Sequence, residues 1–260
     1  MCCTTGVPLS QRFVAFSAQH WLILAIFVLG LVLFPMWGRS HRGTPAEVVV
    51  RRGLALLMAV VIVVMQVYYA MSPVSGSLTV QLGSSLPLEL CDIANLTAVI
   101  ALATRSQVAT AFTYYVALSL SVQAVLTPAL GQSFPSLRFL GFWFLHLMVV
   151  WLAAYLTWGL GFRPTWRLYG ITCGLALVWV AVAGTVNATV GTNFGYLARK
   201  PSSASLFDLL GPWPIYVVNT VLIVLVGWAV VMTWPWYLVR RDGTSSGPFE
   251  TGLRPSSGTR

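Results

Sequence analysis

The stretch Gly53-Leu54-Ala55-Leu56-Leu57-Met58-Ala59-Val60-Val61-Ile62-Val63-Val64-Met65-Gln66-Val67-Tyr68-Tyr69-Ala70-Met71 contains one polar amide, Gln66, and no charge. A helix needs about 20 such residues to cross the hydrocarbon layer of a bilayer. No apolar–polar alternation runs through the stretch, so it does not read as a barrel strand. Arg51 and Arg52 stand before it and Tyr68 and Tyr69 close it. Cations and aromatic rings in those places are the flanks of a membrane interface.

Six further segments read the same way: Trp21–Trp37, Leu86–Thr104, Val108–Thr127, Phe139–Leu160, Leu168–Val190 and Trp213–Tyr237. The composition agrees. Of 260 residues, 57% are hydrophobic and 8% charged, with a mean hydropathy of +0.80. Soluble domains carry roughly 25% charged residues, so this chain cannot coat a water-exposed globule. The expected fold is all-α: a polytopic bundle of seven transmembrane helices over residues 1–241, followed by a disordered cytoplasmic tail over 242–260 that is rich in Gly, Ser, Pro and Thr.

The net charge of +9 does not indicate nucleic acid, because the 15 Arg and Lys residues stand at the ends of apolar runs rather than in a basic stripe. They read as topology signals. Arg39, Arg42, Arg51, Arg52, Arg105, Arg163, Arg167, Arg240, Arg241, Arg254 and Arg260 fall on one side of a seven-span chain, and Arg12, Arg138, Arg199 and Lys200 on the other. The excess favours an N-terminus outside a cell membrane and a C-terminus in the cytoplasm. The stretch Gly38–Arg52 reads as an interfacial linker, and Gly170 with Gly174 as a helix-packing pair.

Ionisable groups inside spans are costly, so each is a functional candidate. Span three begins Leu86-Pro87-Leu88-Glu89-Leu90-Cys91-Asp92-Ile93-Ala94-Asn95. Glu89 and Asp92 share a face at i and i+3. They read either as an acidic helix cap or as part of a site around Cys91, whose bland reading is a buried packing thiol. In span five, His146 lies among Phe142, Trp143, Phe144, Leu145, Leu147 and Met148 as the single histidine of a span interior. It reads either as an interhelical tie or as a catalytic base. Counted from the span starts, Cys91 and His146 lie about 7 Å and about 10 Å below the outer interface. A thiol and an imidazole at one depth can form a nucleophile–base pair, with Glu89 or Asp92 orienting the ring. Asn95 or Asn193 would donate to an oxyanion. The last outer loop, from Asn187 to Pro214, is long and rich in Gly and Pro. It reads as a connector or as a lid whose Arg199 and Lys200 hold a headgroup. Cys2, Cys3, Cys91 and Cys173 form neither a disulfide framework nor a zinc site. No metal and no cofactor are expected.

These stretches together resemble the YwaF-like family of integral membrane proteins. The carrying motifs are Leu86 to Ala94, Phe144-Leu145-His146, Gly191-Thr192-Asn193-Phe194-Gly195-Tyr196-Leu197 through Lys200-Pro201, and Leu209-Leu210-Gly211-Pro212-Trp213-Pro214. That family includes a eukaryotic branch regarded as a phospholipid acyltransferase of ether-lipid remodelling. The resemblance implies a seven-helix lipid enzyme with Cys91 as acyl-accepting nucleophile and His146 as its partner. Family members often carry His where this chain has Glu89. The expected function is therefore a lipid acyltransferase or transacylase with a membrane phospholipid as substrate. The alternative is a small-solute transporter or receptor-like protein using Glu89, Asp92 and His146 as a proton or ligand site. Oligomeric state is left open.

Overall fold

A computed structural model of the chain describes residues 13–71, 83, 85–128, 130–201 and 206–241. The expected disordered tail, Cys2, Cys3, Arg12, Arg254 and Arg260 lie outside them. Seven helices build the bundle: α1 (Ala18–Ser40), α2 (Pro45–Met71), α3 (Leu90–Thr104), α4 (Gln107–Leu126), α5 (Leu137–Gly159), α6 (Trp166–Val190) and α7 (Ile215–Leu238). Among the described residues there is no β-strand. The helices alternate in direction. The two ends of the bundle are named here for Glu89, at the start of α3, and Glu47, at the start of α2.

Six of the helices are long and apolar enough to cross a membrane, and α3 is not. Of the seven expected spans, the structure bears out a helical bundle with six such helices. The 15 residues of α3 rise about 22 Å, against the roughly 30 Å of a hydrocarbon layer. The helix starts late because Leu86-Pro87-Leu88 stays outside it. Glu89 takes the N-cap with φ −67° and ψ 145°, and the Asp92 carboxylate accepts the Glu89 N–H at 3.2 Å, which fixes the first turn.

Helices α4 and α5 form the centre. Of their most apolar stretches, 61% and 67% is buried, against 11% for α6 and α7. The core between α3, α4 and α5 is lined by Ala94, Ala98, Ala101, Phe112, Tyr115 and Leu152. The alanines let the short α3 approach its neighbours closely. On the rim, Val178, Val182, Leu222, Ile223 and Val226 are exposed. A continuous apolar exterior of this kind has lipid as its solvent. Helix α1 closes on α5 where Gly30 meets Trp151. A Cβ at Gly30 would lie 2.1 Å from the indole, which donates Nε1–H to the Phe27 carbonyl at 2.9 Å. By contrast, a Cβ at Gly170 or Gly174 would meet nothing within 4 Å. Those glycines are not at a helix contact, contrary to the packing-pair expectation.

The Glu47 end is closed by arginines. Helix α1 runs to Ser40 and α2 begins at Pro45, so the expected Gly38–Arg52 linker shrinks to four residues, 41–44. The reason is local: Pro45 suits a first helical position, and Thr44 Oγ1 accepts the Glu47 N–H at 3.3 Å. Glu47 is fully buried. Its carboxylate accepts from Arg51 Nε at 2.9 Å, Tyr155 Oη at 3.3 Å and Arg105 at 2.6 Å. Arg51 also donates to the Leu102 carbonyl at the end of α3. Arg39 donates to Trp158 O at 2.8 Å and Arg42 to Gly159 O at 3.0 Å, at the end of α5. Helix C-termini carry unsatisfied carbonyls and a negative partial charge, and these guanidiniums meet both. Burial, and then the charges of Arg39 and Arg163, push the Arg42 guanidinium below its ordinary range.

Candidate functional site

Cys91 sits in the first turn of α3, partly buried. Its sulfur accepts a hydrogen bond from Ser121 Oγ at 3.7 Å. Ser121 reaches it from a stretch of α4, Ala117–Ser121, that is wound as a π-helix. Such bulges shift side-chain register and recur at functional positions. Ser119 in the same stretch accepts Trp228 Nε1 at 3.0 Å, from a matching π segment of α7, Trp228–Thr233. Two irregular turns therefore pack on each other beside the thiol.

His146 lies nine residues after the first residue of α5. Its Nδ1 is 2.8 Å from the Phe142 carbonyl, and the ring stacks on Phe142 at 4.2 Å. A carbonyl only accepts, so Nδ1 carries the proton and Nε2 keeps its lone pair. The imidazole is thereby held in the tautomer that a general base requires. No carboxylate does this. The expectation that Glu89 or Asp92 orients the ring is corrected, because a carbonyl one turn back on the same helix already takes the Nδ1 proton.

No hydrogen bond joins the Cys91 sulfur to the imidazole. Other contacts tie together the helices that carry them. Ser121, which touches Cys91, is one turn from Val125. The Val125 carbonyl is 2.9 Å from His20 Nε2, and the His20 ring lies 5.6 Å from that of Trp143, three residues before His146. His20 itself corrects the reading of His146 as the single histidine inside a span. It stands in the first turn of α1 with 0% exposure, accepts the Phe16 N–H at 2.9 Å, and is satisfied at both nitrogens. The apolar segment from Trp21 leaves it out, because α1 begins three residues earlier, at Ala18.

Two buried polar atoms in this region have no partner. Asn95, one turn along α3 from Cys91, is 2% exposed, and its Oδ1 is unpaired. Trp143 Nε1 on α5 is unpaired too. An unpaired buried polar group costs about 1–3 kcal/mol, and such groups are few in folded proteins.

The loop after α6 is fastened over the start of α3. Asn187 is the anchor. Its Oδ1 accepts Thr192 Oγ1 and Phe194 N, both at 2.8 Å, and its Nδ2 donates to Phe194 O at 3.0 Å. Gly195 N donates to Glu89 Oε2 at 3.0 Å, and Trp179 Nε1 to Leu88 O at 2.9 Å. Gly195 has φ +60°, and a Cβ there would lie 2.3 Å from the Trp179 ring, so the position demands glycine. Tyr216 Oη donates to Tyr196 O at 2.5 Å, tying the loop to α7.

Within the loop, the amide of Asn193 staples the turn: Oδ1 accepts from Ala198 N at 3.1 Å and Arg199 N at 3.0 Å, and Nδ2 donates to Arg199 O at 2.9 Å. That commitment leaves Asn95, rather than Asn193, as the amide beside the thiol. Lys200 lies 3.7 Å from Asp208 and 5.5 Å from the Tyr216 ring centre, while exposed Arg199 reaches only Gly191 O at 3.5 Å. Ser121, Asn187 and Glu47 were not singled out from sequence. Asn187 had a readable signal as an amide in the last turn of a helix ended by glycine. Ser121 had none, since its aim depends on the π turn.

Bundle, apolar exterior and inward-facing polar residues together define a helical integral membrane protein with several spans. Residues 15–232 match the sequence profile of the TMEM164 family, and the chain belongs to that family. No curated protein and no solved structure matches it.

Proposed function

We propose that this chain is a membrane-embedded lipid acyltransferase or transacylase, with Cys91 as nucleophile and His146 as general base, opening toward the outer leaflet of the cell membrane. The observation that carries the reading is the Phe142 carbonyl on His146 Nδ1, which takes the Nδ1 proton and leaves the Nε2 lone pair to act as the base. Nε2 removes the Cys91 proton, directly or through one water. The sulfur then attacks the ester carbonyl of a phospholipid, the C–S bond forms, and the C–O bond breaks. The lysolipid oxygen takes the proton from Nε2. In the second half an acceptor hydroxyl gives its proton to Nε2 and attacks the thioester, and the proton returns to sulfur. Asn95, one turn along α3 from Cys91, supplies its Nδ2 donor to the developing oxyanion. Arg199, and Lys200 in competition with Asp208, meet the headgroup phosphate.

The resemblance of the Leu86–Ala94, His146 and Gly191–Leu197 stretches to the YwaF-like family, with its ether-phospholipid acyltransferase branch, supports the same chemistry. The test is a hydroxylamine-sensitive acyl adduct on the purified protein in phospholipid. The wild type is expected to form it and Cys91→Ala to lack it. An adduct of unchanged amount in a folded Cys91→Ala protein would eliminate the proposal.

A further inference from the structure

The five arginines nearest the Glu47 end differ in one respect. Arg39 and Arg42 hold α5 carbonyls, and Arg51 and Arg105 hold Glu47. Among the described residues Arg52 has no hydrogen bond or ion pair. It follows Arg51 directly, about 100° further round the helix, so one guanidinium turns inward to its carboxylate and the next turns outward. The outward one stands over a hollow of about 430 Å³ between α2 and α3, lined by Arg52, Ala55, Leu56, Ala59, Val99 and Ala103. Three alanines line it, the small side chains that leave a groove open between two close helices.

An unpaired cation above an apolar groove, at the level where a span meets the interface, has the complementarity of a phospholipid: anionic head on the guanidinium, acyl chain along the alanines. We propose that this groove is a binding seat for one anionic glycerophospholipid, separate from the Cys91 site and at the opposite end of the bundle. It does not rest on the acyltransferase reading. The alternative for Arg52 is a snorkelling anchor that pairs with whatever headgroup passes. The two differ in whether the shape of the groove matters.

The experiment uses the full chain in bilayer discs of equimolar phosphatidylcholine and phosphatidylglycerol, with native mass spectrometry of the released protein. The wild type is expected to retain one phosphatidylglycerol in preference to phosphatidylcholine. Arg52→Ala should lower that retention about fivefold, the loss of one arginine's attraction for an anionic head. Ala59→Phe fills the groove on its lipid side while keeping Arg52, and should lower it comparably. Two outcomes overturn the seat: wild-type retention without headgroup preference, or a preference that survives Ala59→Phe while falling in Arg52→Ala, which is the anchor's signature. Far-UV circular dichroism on each variant establishes that the bundle is intact.

Discussion

Glu47 and Asn95 are both polar side chains sealed inside the bundle, at 0% and 2% exposure. Glu47 has three donors on its two oxygens, and Asn95 has no partner for its Oδ1. The Glu47 end is a lock, where a buried charge is tolerable because both oxygens meet donors and the arginines also cap helix ends. The Glu89 end is fastened from outside by the loop on Glu89 and Asn187; beneath that loop Asn95 Oδ1 and Trp143 Nε1 are unpaired, as Thr157 Oγ1 is at the Glu47 end. Substitutions at the two ends should therefore separate stability from chemistry.

The largest effect belongs to the lock. Glu47→Ala strips the partner from Arg51, itself 5% exposed, and leaves a buried guanidinium uncompensated, at a cost of about 3–5 kcal/mol. Thermal unfolding in detergent should show a large fall in Tm, while the protein that remains folded keeps its acyl adduct. A Glu47→Ala protein as stable as wild type would remove the distinction between the two ends.

His146→Ala is the mirror case. The imidazole bonds only within its own helix turn, so its loss costs the bundle little. Loss of a general base is expected to slow adduct formation by about 10²–10⁴-fold, read from a time course with Tm followed in parallel. If the rate holds and Tm falls instead, His146 is an interhelical tie.

Asn187→Ala tests whether the cover over α3 is built as described. It releases Phe194 N, Phe194 O and the Thr192 hydroxyl inside a buried turn. At about 1–3 kcal/mol for groups left unsatisfied, the loop should loosen while the bundle stays. Limited proteolysis between Thr192 and Pro201 should accelerate before any change in global Tm.

The bundle was legible because hydropathy is additive along a chain: Gly53–Met71 announces itself without any partner. What failed was local. Pro87 and Glu89 were counted inside span three, although a capped turn starts the helix at Leu90. Glu47 falls within the expected linker, and its partners Arg105 and Tyr155 are 58 and 108 residues away. For the proposed site, Cys91 and His146 are candidates by residue type alone, since thiols and imidazoles are scarce in spans. Ser121 could not, because a π turn leaves no compositional mark and its aim at the sulfur exists only once α3 and α4 have packed.

The smallest effect is the sharpest test of the comparison, because its two readouts should move in opposite directions. Asn95→Leu replaces an unpaired buried amide by an apolar side chain of similar size. Removing an unsatisfied acceptor from an apolar setting stabilises, here by about 1 kcal/mol, so Tm should rise slightly. If the Nδ2 donor serves an oxyanion, the same change should slow acyl transfer about 10²–10³-fold, with the adduct still forming at long times because Cys91 is intact. A gain in stability with no loss of rate would make Asn95 a packing defect. A fall in stability would show that its amide has a structural partner, and the contrast with Glu47 would then fail at its weakest point.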